Sequence, residues 1–184
     1  MTCIVGIVDK ENNKVYIGGD SAGISDLTIN IRKDRKVFKV GDFVIGCTSS
    51  YRMIQLLMFS FKPPGINNKN LFEYMCVDFV NAVKETFRDG GFMQTEQLGD
   101  DSGGEFLVGY KNRLFKICSD FQVGENLNGI DSIGCGAYFA LGSLYFSSKQ
   151  SLLSVKMQVK SALEASSFYS AGVDKPFIIL ETSN

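Results

Sequence analysis

The sequence predicts an α+β fold: a four-layer αββα sandwich, with two mainly antiparallel sheets held between helical layers. Three observations predict it. The elements run strands, two helices, strands, two helices, strand, so helices come in pairs instead of alternating with strands as in a parallel βαβ fold. Short polar breaks between β-rich runs are the mark of hairpins. Long apolar strands in both halves place two sheets face to face with helices outside.

The elements follow in order. TCIVGIVD and KVYIGGD flank the polar turn KENN and read as a β-hairpin. SAGISD reads as a loop rich in small residues. LTINI, KVFKV and FVIGCTS then read as strands, the last two joined by the tight-turn pair Gly41-Asp42. In YRMIQLLMFSF, Met53, Ile54, Leu57, Met58 and Phe61 recur at helical spacing, and Pro63-Pro64-Gly65 stops the helix. A longer helix is predicted over 70–88, with Leu71, Met75, Phe79, Ala82 and Val83 on one side. RDGGFMQTEQLGDDSGGE reads as a polar excursion, with its glycine pairs as loop hinges. EFLVGY, RLFKICS, FQVGE and IDSIG restore β character. GAYFALGSLYFS and residues 152–168 read as two closing helices, and PFIILET as a final strand.

Composition bounds the function. At 184 residues and 45% hydrophobic, the chain is expected to be one domain over 1–184 with a sizeable core. A net charge of −1 gives no reason to expect nucleic acid. No apolar run approaches the roughly 20 residues of a membrane span, and the start lacks a signal peptide's pattern, so a cytoplasmic protein without membrane contact is expected. Five widely spaced cysteines with no CxxC read as free thiols, mostly core-filling, in a reducing compartment. No metal site and no cofactor are expected.

There is no histidine. That removes Ser-His-Asp and Cys-His catalysis and HExxH zinc chemistry together. If the chain is an enzyme, a lysine, a carboxylate, a hydroxyl or an α-amino group must move the protons. The α-amino group is the easiest to use at neutral pH, with an unperturbed pKa of about 7.7–8.0. The beginning, MTCIVGIVD, is therefore informative: chain ends are commonly polar and disordered, yet this one enters an apolar run at once. Either the strand happens to lie there, or the end itself is used.

MT-CIVGIV-KVYIGGDSAG, KVFKV, FVIG and IDSIGCGAYFALG together resemble the β subunits of the 20S proteasome and the bacterial HslV peptidase. The similarity covers almost the whole chain in element order, and is most specific over the first fifty residues and at IGCG. It implies an N-terminal-nucleophile (Ntn) hydrolase: a threonine peptidase that acts on peptides or unfolded proteins, assembled as a homo-oligomeric ring, with an ATPase unfoldase as a possible partner. The matching nucleophile is Thr2, exposed by removal of Met1, for which the small residue after Met1 permits ordinary trimming. The matching carboxylate is Asp20 in IGGDS and the matching lysine is Lys36 in KVFKV, 16 positions later, as in the family. The loop CTSS after FVIG matches the oxyanion-hole loop, and its backbone donor is Ser49 or Ser50.

Two features depart from the family pattern. IGCG places Cys135 where the family has a serine, and SSFYSAG places Phe168 where it has an aspartate and Ala171 where it has a second serine. A shift of one residue makes Ser170 that serine but supplies no aspartate. Asp174 is more simply a loop former.

The chemistry fits these residue types. A free Thr2 amine, directly or through water, takes the hydroxyl proton, so histidine is unnecessary. Lys36 beneath the hydroxyl favours an alkoxide, and Asp20 holds the lysine charged and oriented. Each residue also has a plainer reading: Thr2 as the start of a strand, Asp20 as a turn former with Ser21 and Gly23, Lys36 as one solvated cation in RKDRKVFK, Cys135 as a packed thiol. Two other functions stay open. One is an Ntn-type amidase on a small-molecule amide, motivated by the missing helix-end aspartate. The other is a catalytically silent ring or scaffold subunit, against which stands the absence, in this sequence, of a helix before the first strand.

Overall fold

The structure is a computed structural model and describes residues 1–67, 69–93, 103–150 and 153–183. Two antiparallel sheets stack face to face. The first has strand order β10-β1-β2-β11, built from β1 (Ile4–Asp9), β2 (Lys14–Gly19), β10 (Ile130–Ile133) and β11 (Ile178–Glu181). The second has order β5-β6-β7-β8-β9, built from β5 (Val37–Val40), β6 (Phe43–Cys47), β7 (Phe106–Tyr110), β8 (Arg113–Ile117) and β9 (Val123–Gly124). Helices α4 (Ala137–Ser147) and α5 (Val155–Tyr169) cover the first sheet. Helices α1 (Tyr51–Phe59), α2 (Leu71–Tyr74) and α3 (Val80–Asp89) cover the second. The αββα sandwich is therefore present as the sequence predicts.

Period-two alternation builds the layers. Along β1 and the residue before it, Cys3, Val5 and Ile7 pack with α4 and α5, while Ile4 and Val8 face the other sheet. Ile4, Ile17, Val37, Val44, Leu107, Leu114 and Ile133 fill the space between the sheets. Gly46 lets the sheets approach there: a Cβ at that position would lie 2.6 Å from the Ile4 side chain. The third layer is aromatic, with Phe79 against Phe61 at 5.0 Å and Phe43 at 5.2 Å between ring centres.

Several local expectations are corrected. SAGISD is not a loop: Ala22–Ser25 forms β3, paired with β4 (Thr28–Ile31) in a separate two-stranded ribbon. Its small residues hid the cross-strand pair Ile24–Ile29, which fixes the register. The helix expected over 70–88 is interrupted between α2 and α3 by a π-helical turn at Met75–Phe79. The extra residue in that turn rotates the following face, so that Val80, Val83 and Phe87 continue the buried stripe. Of the five thiols, Cys3 and Cys47 are buried, but Cys76 and Cys135 are exposed. The first residue of the last predicted helix, 152, and most of the polar excursion, 94–102, lie outside the described residues. Among those described, no helix is long and apolar enough to cross a membrane.

Phe79→Ala is expected to cost about 3–5 kcal/mol of stability, since a fully buried ring leaves a cavity its aromatic neighbours cannot close; urea unfolding measures it. Alkaline sensitivity follows from burial. It pushes the Cys3 thiol from 9.0 up to about 11, and Tyr51 and Tyr74 from 10.0 up to about 12. The unfolded chain then releases these protons first, so stability from these groups is complete below about pH 9 and falls as pH rises to about 12. Cys3→Ala is expected to lessen the first part of that fall, with Cys47, which burial also pushes up, supplying the rest, read as urea midpoints across the window.

Candidate active site

The strand registers bring the predicted residues to one end of the two sheets. Ile4 pairs with Gly19 across β1–β2 and with Ile133 across β1–β10. Continuing both ladders past their last pairs sets Cys3 beside Asp20 and Thr2 beside Cys135. Lys36 precedes β5, where its carbonyl accepts from Cys47 N at the end of β6. The loop carrying Ser49 and Ser50 follows at the same end and leads into α1.

Lys36 lies at the centre. Its Nζ donates to Thr2 Oγ1 at 2.9 Å, to both Asp20 carboxylate oxygens at 3.0 Å and to the Ala22 carbonyl at 2.6 Å. Thr2, Asp20 and Lys36 are 5%, 1% and 2% exposed, so this is a buried ion pair with a buried hydroxyl attached. Burial drives the lysine's pKa below its usual value, and the charge and hydrogen bonds of Asp20 oppose that. Asp20 is held in turn: Oδ1 accepts from Cys3 N and Oδ2 from Ala22 N, both at 3.0 Å. The turn-forming and lysine-binding readings of Asp20 are thus met by one carboxylate.

Cys135 closes the other side. The Thr2 N–H donates to Cys135 Sγ at 3.3 Å, the thiol donates to the Thr2 carbonyl at 3.4 Å, and Ser170 Oγ donates to Cys135 Sγ at 3.4 Å. The GCG spacing has a steric reason. Gly134 has φ +91°, and a Cβ there would collide with the Thr2 carbonyl. Gly136 N donates to the same carbonyl at 3.3 Å, and a Cβ on Gly136 would meet the Cys3 side chain.

Ser49 and Ser50 differ in geometry. Ser50 N is turned onto the Thr48 carbonyl at 2.9 Å, and Ser50 Oγ caps α1. Ser49 sits at φ +72°, and its N–H meets no acceptor among the described residues. Phe168 is exposed and packs on Tyr169. The Asp174 carboxylate accepts from Lys175 N, and among the described residues no carboxylate from the end of α5 is hydrogen-bonded to Thr2.

Three participants were not visible in the sequence. The Ala22 carbonyl and the Cys3 N–H act through backbone atoms, which residue types do not reveal. Tyr51 carries the Arg32 guanidinium 3.6 Å over its ring, with Lys36 Nζ at 6.0 Å, and so ties β4 to the head of α1. Thr2 Oγ1 donates to the Met1 carbonyl.

No family model and no curated protein matches the chain. Solved structures do. BPH from Thiobacillus denitrificans superposes with TM-score 0.80 at 17% identity, over 99% of this chain and 97% of that one. HslV from Trypanosoma brucei gives 0.70 at 15%, over 98% of both chains. An Anbu Gly-1 mutant from Hyphomicrobium sp. strain MC1 gives 0.69 at 15%, over 97% of this chain and 80% of that one. The chain has the fold of the proteasome-like Ntn hydrolases.

Removing one partner of a buried ion pair strands the other charge in the interior. Asp20→Asn and Lys36→Met are each expected to cost about 3–5 kcal/mol. The double variant should cost less than the sum of the two, because neither charge is left alone. A thermodynamic cycle from urea unfolding reads the coupling.

Proposed function

We propose that the chain is a threonine-type endopeptidase of the proteasome/HslV kind, acting on peptide or unfolded-protein substrates once the Met1–Thr2 bond is cut. One observation carries the reading: a buried, Asp20-held ammonium donates to the hydroxyl of Thr2. A cation at that oxygen lowers its proton affinity and stabilises the developing alkoxide.

With Met1 attached, the Thr2 nitrogen is an amide and takes no proton. Freed, it becomes an α-amine beside its own hydroxyl and accepts that proton, directly or through water. Oγ1 then attacks the scissile carbonyl. The tetrahedral oxyanion is received by the Ser49 N–H, a donor typically worth about 3–4 kcal/mol in such sites. The amine returns the proton to the leaving nitrogen, and water hydrolyses the resulting ester by the same route. Cys135, with Ser170 behind it, orients the amine through the contact it now makes with the Thr2 N–H. Lys36 stays charged and is not the base.

On this reading the chain is a single catalytic domain of a cytoplasmic homo-oligomeric ring, with an ATPase unfoldase as the partner that delivers unfolded substrate. BPH from Thiobacillus denitrificans, 18% identical, has been solved in complex with epoxomicin. A second reading, an amidase on a small amide, is favoured by the α5 end, where the sequence has the exposed Phe168 in place of the family's aspartate.

Protein with Met1 shown by intact mass to be absent is expected to cleave fluorogenic peptides and to gain one epoxyketone mass at Thr2. That reagent needs both the hydroxyl and the free amine. Thr2→Ala should lower turnover by on the order of 10³-fold or more and abolish the adduct. Absence of both turnover and adduct in the trimmed protein would sink the peptidase reading, while hydrolysis confined to small amides would favour the second. Lys36→Arg is expected to stay inactive, since a bulkier planar cation does not fit the four-acceptor cradle.

A further inference from the structure

One charged pair beside the site has no part in the steps above. Arg32 follows β4, and its backbone N–H donates to the Ser21 carbonyl at 3.0 Å. Its stem crosses the backbone of Gly23, where a Cβ would lie 2.7 Å from Arg32 Cδ. The guanidinium thereby reaches the Tyr51 ring, 3.6 Å from its centre, with Lys36 Nζ 6.0 Å from the same centre. Asp34 holds one edge of the guanidinium: Nε donates to Oδ1 at 2.8 Å and Nη2 to Oδ2 at 2.7 Å. The other edge, formed by Nη1 and the second N–H of Nη2, meets no acceptor among the described residues. The Arg32 and Asp34 side chains are 38% and 39% exposed, so the pair is open to solvent.

We propose that Arg32 selects substrates with an acidic side chain on the residue whose carbonyl Thr2 attacks, an inference that rests on the peptidase reading. In that reading the leaving nitrogen takes its proton from the Thr2 amine, which faces Cys135. Cys135 follows β10 and the β3–β4 ribbon follows β2, and these two strands flank β1 on opposite sides. The acyl part of the substrate therefore runs from Oγ1 away from Cys135, toward the ribbon. Ser49, whose N–H receives the oxyanion, stands two residues before Tyr51, so the side chain next to the attacked carbonyl comes to that ring and to Arg32.

A carboxylate there takes two parallel N–H bonds from the open edge, the geometry that a planar guanidinium supplies. Tyr51 fixes the plane of the group and Asp34 fixes its rotation, so little freedom is lost when a ligand binds. Charge points the same way. The run RKDR at 32–35 sets three cations against one anion, and Lys33 and Arg35 are exposed. A basic side chain would meet this surplus, and would reach Asp34 only by displacing Arg32.

The experiment assays protein trimmed of Met1 on fluorogenic peptides that differ only in the residue before the scissile bond: Glu, Gln, Leu or Lys. Glu is expected to exceed Gln by about 10–100-fold in kcat/KM, the difference between a charge-assisted pair and its neutral isostere, and Lys to be lowest. The Glu-to-Gln ratio should fall as salt is added. Arg32→Gln should bring that ratio near one, and Arg32→Lys should restore only part of it, because an ammonium offers no fork. A purely structural role for Arg32 would lower all substrates alike and leave the ratio as it was. A wild-type ratio near one, a preference for Lys, or an unchanged ratio in Arg32→Gln would each overturn the proposal, while an epoxyketone adduct at Thr2 would still uphold the peptidase reading. Absence of both adduct and turnover would overturn the two together. Should Arg32→Gln misfold, the salt series on wild type decides: a preference for Glu that ionic strength leaves intact would refute the charge pair.

Discussion

The constraint on which the rest depends is the burial of Lys36. An ammonium at 2% exposure must find acceptors inside the protein, or lose its proton. Four oxygens supply them, from Thr2, Asp20 and Ala22. The three residues stand at the ends of different strands, so the lysine fixes where β1, β2 and β3 begin or end relative to β5. Asp20 could not do this alone. Its two oxygens also accept from Cys3 N and Ala22 N, and those bonds hold the carboxylate in position while its charge offsets the cost of burying the lysine. A buried ion pair contributes little net stability. What this one supplies is a single geometry, with a cation fixed against a hydroxyl.

The same geometry explains what could be read from the sequence. Alternation in CIVGIV and KVYIGG dictates a hairpin, and its register sets Thr2 and Asp20 at one end of the sheet whatever the rest of the chain does. Element order gave the layers because paired helices have only the outer faces of a stacked pair of sheets to cover. The spacing of Asp20 and Lys36 was informative for the same reason: it is the length of chain needed to leave one sheet, form a ribbon and enter the other. The ribbon itself was missed. SAGISD has the composition of a loop, and only the pairing of Ile24 with Ile29 makes it a strand. Local residue types carry no record of such pairings. The π-helical turn escaped for a related reason: it is one residue inserted into a helical period, and the stripe remains apolar on either side of it.

Backbone participants were illegible for a different reason. The Ala22 carbonyl and the Cys3 N–H, and on the proposed reading the Ser49 N–H, act through atoms every residue has, so residue identity could indicate only the loop and not the donor. Conformation separates Ser49 from Ser50. One sits at φ +72° with its N–H unspent among the described residues, while the other spends its N–H on Thr48 and its hydroxyl on capping α1. Cys135 was legible in position and ambiguous in role, and its exposure and its three contacts decide that it is not a core thiol.

What separates a poised site from a working one, on the proposed reading, is the state of one nitrogen. Lys36 is already at the hydroxyl and the Ser49 N–H is already open. The Thr2 N–H already faces Cys135. With Met1 attached, the lone pair of that nitrogen is delocalised into a peptide bond, and the two charged groups beside Thr2 are engaged with each other: Asp20 accepts from three donors, and Lys36 donates to Asp20. Cutting the Met1–Thr2 bond therefore adds the missing base at a position whose neighbours are already in place. It also uncovers the hydroxyl, which now donates to the Met1 carbonyl. The Lys36–Asp20 pair would stabilise the site in both states, so the switch need move nothing larger than one residue.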